Sequence, residues 1–598
     1  MNDPNDAVLD NGGGVVGPEQ PPTAETPQAN AADARSDGID EGPAEAAIRA
    51  SLVSLGFVGF DQNGGSNDTS GVMVSPDRRR AFRRDAYVGI RDEEQETEFL
   101  GRVVEGPFHA PHEISTESAI SRTTLLFPER TQFRPTYYVY GSVEVLGEIR
   151  GGERLVPTPT RPRPYSEVSI YPAARLRTML GLEGDFQIGH LMGYEAVDVA
   201  ADPGSKNFLP RNIGVFGTVG SGKSNTTQVV MEEALAAGWA VVVIDVEGEY
   251  VRMEEAAADP RMIAILSDSY GLAPDGVDDF RVYVPSSGAS DAAAPISFKV
   301  PIAGVSPEVV SDILELTEPQ VRMFTQICAQ AVRNAAAPGG AAGRTGVLAG
   351  GVTTPGTRHA YTLQTLIDGL QDPNVPLLGR PPTATELPTA ATLRSKLITL
   401  GMSRVLDWNA TARTPELPVN DLLLGGRLSV LDVSETDDRS RSIAISYLLQ
   451  ALFDAVIATD EGAPMPNGVS RPRVLVVIEE VHTFVSRASA QRMRAVIDQL
   501  QIISRRGRKR WMGLVLVSQQ PGHVPDELFE LANTRFIHQL KSIANLAPVR
   551  QTTGGVHEAL WTTVPSLGPG QCLLTGATFL NPVFVNVRPA KSRRLLTS

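Results

Sequence analysis

Residues 217–224, Gly217-Thr-Val-Gly-Ser-Gly-Lys-Ser224, follow the pattern G-x-x-x-x-G-K-[ST]. Glycines at 217, 220 and 222 let a backbone wrap closely around phosphate, and N–H groups at the start of a following helix donate to it. In such a loop Lys223 reaches the β- and γ-phosphates of ATP and the Ser224 hydroxyl ligates Mg²⁺. Gly217, Gly220, Gly222, Lys223, Ser224 and Asn225 are therefore expected to bind the nucleotide. A second element, Val474-Leu-Val-Val-Ile-Glu-Glu-Val-His482, is an apolar run ending in two acids. A buried strand has little use for carboxylates at its tip unless a cation or a water needs them. Glu479 is expected in the Mg²⁺ shell through water, and Glu480 as the base that polarises the attacking water.

A third run ends in Val517-Ser-Gln-Gln-Pro521. The Gln519 amide either contacts the γ-phosphate or the water, or caps the following loop. Between these runs, Ser504-Arg-Arg-Gly-Arg-Lys-Arg510 holds five cations in seven residues. Three readings are open: a solvated turn, a contact to DNA phosphate, or an arginine finger for a neighbouring subunit's nucleotide. Arg78-Arg-Arg80 with Arg83-Arg84 is a weaker basic cluster that also reads as a loop.

These residues need strands to hold them. Ile213–Gly217 and Ala240–Asp245 are apolar runs separated by a helical stretch from Ser224 to Gly238, the βαβ unit of a parallel sheet. Runs at 427–432, 474–478 and 513–518 extend that sheet. Amphipathic helices are expected at Glu308–Val332 and Ser442–Thr459, within a domain from 176 to 598 that carries a helical insertion at about 300–420. Ala/Gly/Pro-rich stretches at about 335–358 and 459–472 read as surface insertions. From 45 to 175, short alternating runs at 71–74, 86–90, 99–104 and 137–145 suggest a small β-barrel or sandwich. Residues 1–44 are too poor in large apolar side chains to form a core and are expected to be disordered.

The formal net charge of −15 looks unfavourable to a nucleic-acid partner. Residues 1–48, however, carry ten acidic groups against one basic group, so the remainder is only mildly acidic and DNA is not excluded. Two distant cysteines, Cys328 and Cys572, exclude a disulfide framework and favour a reducing compartment. No run approaches the roughly eighteen apolar residues of a membrane span, so a cytoplasmic protein without a membrane segment is expected.

Taken together, the motifs resemble those of the HerA branch of the HerA/FtsK superfamily of ATP-driven DNA translocases. Leu209–Gly217 resembles the family's Arg-containing approach to the phosphate loop, with Asn212 where a His is common. Asp245-Val-Glu-Gly-Glu-Tyr250 is similar to Asp-Pro-His-Gly-Glu-Tyr, departing at Val246 and Glu247, and Glu479–His482 is similar to Glu-Glu-Ala-His. The 50–170 region, with Phe99-Leu-Gly-Arg-Val, resembles the HAS barrel that precedes the motor. The resemblance implies a RecA-like α/β motor in a homohexameric ring, with ATP at subunit interfaces. Lys223, Ser224, Glu479, Glu480 and Gln519 would act in cis, Arg505 or Arg508 from the adjacent protomer, and Arg211 on phosphate or in coupling neighbouring sites. It further implies duplex DNA as substrate and a nuclease partner of the NurA type in resection of double-strand breaks. Rival readings are a HerA-like ring serving an anti-phage effector, Sir2-like or nuclease, and a conjugation or secretion ATPase. A nucleotide-gated scaffold is disfavoured, because a pure binder has no need of Glu480.

Overall fold

The computed structural model describes residues 53–595 apart from 61–68, 113, 130–134, 337–360, 372–379, 381, 409–414, 466, 484 and 487–493. The expected disordered tail, 1–44, and most of the 335–358 stretch lie outside the described residues. Seven strands form the first sheet: β1 Ser54–Val58, β2 Thr69–Val74, β3 Tyr87–Asp92, β4 Thr97–Pro111, β5 Tyr137–Arg150, β6 Arg154–Val156 and β7 Glu167–Ile170. Their order, β2-β1-β7-β3-β4-β5-β6 with β2 also paired to β5, closes six of them into a barrel. Inward-facing side chains of its strands, including Leu55, Val72, Val88, Phe99, Val103, Val143 and Val168, supply the core together with Phe82 from the loop before β3. Sequence alternation picks out β2 to β5. The closing strands β1 and β7 have five and four residues, too few to show a period.

The barrel is tied to the rest of the chain by arginines. Arg102, in the Phe99–Val103 segment, is buried; it pairs with Glu144 at 2.6 Å and donates to the Pro582 carbonyl at 2.6 Å. Arg83 donates to the Gly193 carbonyl and Arg84 to the Ala559 carbonyl and Thr562 hydroxyl. The second basic cluster is thus partly a strap between the two sheets.

The second sheet has twelve strands: β8 Phe186–Leu191, β9 Tyr194–Ala201, β10 Ile213–Phe216, β11 Ala240–Asp245, β12 Phe280–Pro285, β13 Ile296–Phe298, β14 Leu428–Asp432, β15 Val474–Ile478, β16 Met512–Ser518, β17 Thr534–Ile537, β18 Gln571–Thr575 and β19 Val583–Val587. Their order is β13-β12-β14-β11-β15-β16-β10-β17-β18-β19-β8-β9. Pairings are parallel from β13 to β17 and antiparallel beyond. A parallel sheet is covered on both faces, so its strands are apolar throughout. In β11, Val242 and Ile244 enter one core while Val241 and Val243 enter the other.

Two expectations need correction. The single helix expected over Glu308–Val332 is two, Pro307–Ile313 and Glu318–Ala336, because the chain turns at Leu314–Thr317 with Glu315 in a left-handed conformation (φ 49°). The antiparallel strands β18, β19, β8 and β9 prolong the motor sheet and had no place in the sequence reading. Among the described residues, one helix, Asp438–Ala458, is long and apolar enough to cross a membrane, but 61% of its apolar window is buried inside the fold. Its Ile443, Leu448, Leu452 and Val456 belong to the core.

Candidate active site

Every motif residue that follows a parallel strand lies at the carboxyl edge of the sheet, where open α/β sheets bind ligands. The phosphate loop leaves β10 and enters the helix Lys223–Ala236. Gly222 has φ 102°, and a Cβ there would lie 2.6 Å from the Gly570 nitrogen, so only glycine fits. The loop is braced from behind: the Thr218 N–H and hydroxyl both donate to the Gln539 carbonyl at 3.0 Å, the Ser221 hydroxyl to the Thr218 carbonyl at 2.7 Å, and the Gly570 N–H to the Ser221 carbonyl at 2.9 Å. His538 sits beneath it. Its Nδ1 faces the Gln571 carbonyl at 2.9 Å and so carries the proton, leaving Nε2 to accept from the Thr226 hydroxyl at 2.9 Å. Burial pushes its pKa down to about 4, which keeps the ring neutral beside the lysine.

Strand β16 separates β10 from β15, so Lys223 reaches across one strand. Its Nζ lies 2.8 Å from Glu480 Oε1, and both side chains are buried, at 4% and 1% exposure. The other oxygen of Glu480 accepts from the Gln519 N–H at 3.0 Å and lies 3.1 Å from His482 Nδ1. Burial alone would raise the Glu480 pKa, but His482, Lys223 and the Gln519 amide together hold it at about 2. Glu480 also has a left-handed backbone (φ 42°), a strained conformation that turns its carboxylate toward the lysine. The expected pair 223 and 480 is therefore in contact. Gln519 touches it through its backbone.

The loop after β11 is folded by Asp245. Asp245 Oδ1 accepts from the N–H groups of Glu247, Gly248 and Glu249, and Oδ2 from that of Tyr250. Asp432, in register with Asp245 on β14, accepts from the Ser434 N–H and hydroxyl. Glu479 is fully buried, and neither of its oxygens accepts from a donor. Desolvation and the charges of Asp245 and Glu249 hold its pKa well above the ordinary value, and that of Asp245 is raised to about 6, chiefly by burial. Buried acid oxygens without donors, a glycine cradle and the Ser224 hydroxyl in the first helical turn fit a Mg²⁺–nucleotide.

Other expected residues are elsewhere. Arg211 precedes β10, so the phosphate loop of its own chain begins four strand residues, roughly 13 Å, further on, and direct phosphate contact in cis is excluded. Arg505 is exposed near the end of the helix Arg494–Gly507, and Arg508 donates to Asn207 at 3.2 Å. Both lie at the amino edge with Arg211. Asn212, where the resembled family has His, is buried there: it donates to Ser504 and to the Leu531 carbonyl and accepts from the Leu514 N–H. Asn225 is occupied too. Its amide donates to the Arg588 carbonyl at 2.8 Å and accepts from the Ala590 N–H at 2.9 Å, so its side chain anchors the C-terminal segment rather than the nucleotide.

Sequence reasoning missed that segment. Arg588 is buried against Glu232 and Glu233 on the phosphate-loop helix, and Arg594 pairs with Glu249 at 3.2 Å. Its Lys591-Ser-Arg-Arg594 stretch reads only as a basic terminus, and no local signal pairs it with residues more than 300 positions away. Asp432 and His538 were likewise visible only as a strand-end acid and an isolated histidine.

The family model described as "Helicase HerA, central domain" matches residues 186–452, the span that holds the phosphate loop and the Asp245–Tyr250 loop. The chain is a HerA-type ATPase of the HerA/FtsK superfamily. It is an ATP-hydrolysing enzyme. A probable helicase of Methanocaldococcus jannaschii is 23% identical over 468 residues, covering 76% of this chain and 77% of the relative. The DNA double-strand break repair helicase HerA of Pyrococcus furiosus is 22% identical over 487 residues, covering 76% and 78%. Among solved structures, VirB4 of Thermoanaerobacter pseudethanolicus aligns over 68% of this HerA-type chain and 97% of its own, at 16% identity and a TM-score of 0.44. The conjugative coupling protein TrwB aligns over 71% and 94%, at 12% identity and a TM-score of 0.42.

Proposed function

We propose that this HerA-type chain is a double-stranded DNA translocase that works in the cytoplasm as a homohexameric ring with ATP between subunits. The observation that carries the reading is the division of the catalytic set. Lys223 and Glu480 meet at the carboxyl edge of the sheet, whereas Arg211, Arg505 and Arg508 stand at the amino edge. Among the described residues, the arginines at the carboxyl edge are engaged, Arg441 by the Val433, Ser434 and Thr436 carbonyls and Arg594 by Glu249, whereas Arg505 at the amino edge is exposed and far from the phosphate loop of its own chain. Stacking copies around a ring brings one edge to the other, and Arg505 or Arg508 inserted in trans completes the site.

In each site the P-loop amides and Lys223 would hold the triphosphate, and Ser224 with Glu479 would hold Mg²⁺, which when bound neutralises charge between the β- and γ-phosphates. Once phosphate draws Lys223 away, Glu480 keeps the His482 and Gln519 contacts and is positioned as general base for water. We assign 45–175 to the barrel domain and 176–598 to the motor. A nuclease of the NurA type, or another effector, is the partner the resemblance implies, with DNA-end resection in break repair as the setting. The test is ATPase rate with and without duplex DNA, alongside the mass of the native assembly. Stimulation by duplex in a six-subunit species supports the reading. An active monomer indifferent to DNA contradicts it.

A further inference from the structure

The Asp245–Tyr250 loop carries more negative charge than nucleotide chemistry uses. Asp245 spends both oxygens on four backbone N–H groups, so it shapes the loop instead of ligating. With Gly248 at φ 71°, that shape aims Glu247 and Glu249 at Glu479, and one oxygen from each of the three lies within 4.8 Å of the others. Glu479, from a different strand, is fully buried with both oxygens lacking a donor. Its contact with Asp245 is a hydrogen bond only when one of the two acids carries a proton. The Tyr250 hydroxyl, also buried and unpartnered, lies close enough to Glu479 and Glu249 to feel their charge. The cluster thus contains a fully buried carboxylate without a donor, beside it lies a buried hydroxyl without a partner, and half-buried Glu247 gives an approach from solvent.

We propose that Glu247, Glu249 and Glu479 form a site for a divalent, oxygen-preferring cation in the nucleotide-free protein, distinct from the Mg²⁺ carried in with ATP at Ser224. Three carboxylates at this spacing suit Mg²⁺, Mn²⁺ or Ca²⁺, and soft or thiolate-seeking metals find no ligand there. Arg594 holds only Oε2 of Glu249, leaving Oε1 for the ion. A cation here would offset the carboxylates of Asp245, Glu247, Glu249, Asp432 and Glu479, which otherwise repel the incoming triphosphate. The proposal rests on the ATP-site reading only through Glu479.

The experiment titrates Mn²⁺ into full-length, nucleotide-free protein, following free Mn²⁺ by electron paramagnetic resonance and heat by calorimetry. One Mn²⁺ per chain is expected. Glu247→Gln and Glu247→His should weaken uptake about tenfold or more while melting at the wild-type temperature, and Ser224→Ala should bind as wild type does. Absence of uptake at millimolar Mn²⁺, unchanged binding in Glu247→Gln, or loss of binding in Ser224→Ala would each overturn the proposal. The last result would put the ion at the nucleotide position. ATP hydrolysis by Lys223→Ala would instead break the ATP-site reading, so the two failures are distinguishable.

Discussion

The two edges of the twelve-stranded sheet have opposite chemistry. At the carboxyl edge, strand ends present Asp432, Asp245, Glu479 and Glu480 in adjacent positions, with Lys223 as the cation that meets Glu480. At the amino edge, strands are entered past Arg211, Arg427, Arg473 and Arg508 to Arg510. Some of these cations are used locally: Arg427 pairs with Asp279, Arg473 with Glu461 and Arg510 with Asp460. Arg505 remains exposed, and the Arg211 Nε is buried without a partner. The length of a strand thus separates an acidic edge, where Arg441 and Arg594 are held by the Val433, Ser434 and Thr436 carbonyls and by Glu249, from an edge that presents the exposed Arg505. In the proposed ring, this separation means that each catalytic site is completed by a second copy of the chain.

The largest effect is expected at the acidic edge. Lys223→Ala should abolish nucleotide binding, whereas Glu480→Gln should keep it and lose turnover by roughly 10²–10⁴-fold. Equilibrium binding of a fluorescent ATP analogue beside steady-state ATPase rates checks both. Next comes the basic edge: Arg505→Ala with Arg508→Ala should leave ATP affinity close to wild type and cost roughly 10³-fold or more in kcat. A tenfold loss of affinity with unchanged kcat would break the comparison, because it would make these arginines ground-state binders.

Smaller effects sharpen it. Asn212→Ala removes a buried residue bonded to three segments at φ 62° and should cost about 3 kcal/mol, read by denaturant unfolding. Asn225→Ala should cost about 1–2 kcal/mol through the C-terminal segment and leave ATP affinity unchanged. The smallest signal is a pH dependence. The folded pKa of His538, about 4, lies below its unfolded value, so its contribution is full above about pH 6.5 and is lost as pH falls toward 4. Asp245, raised to about 6, acts with the opposite sign as it takes up a proton. The comparison must therefore be differential: His538→Gln should melt at a fixed offset below wild type above pH 7, and that offset should shrink between pH 6.5 and 4.

Much of the acidic edge was legible because its signals are local. A phosphate loop is a contiguous pattern between a strand and a helix, and Glu479-Glu480 ends an uninterrupted apolar run. What was not legible depends on residues meeting across the sheet. Nothing near Asn225 shows that Ala590 will take its carbonyl, and Arg211, adjacent to the motif in sequence, is carried away from it by the rise of β10. The barrel was readable where strands are long enough to alternate and hidden at β1 and β7, whose pairing depends on distant partners.

Mixing subunits tests the central claim most directly. Glu480→Gln protein and Arg505→Ala/Arg508→Ala protein are each expected to be inactive, but in a mixed ring some interfaces join an intact acidic edge to an intact arginine edge. ATPase activity should therefore reappear on mixing, peaking near equal proportions. If the mixture stays as inactive as its components while gel filtration shows that the subunits have exchanged, the arginines do not act across a subunit boundary and the two-edge account is wrong.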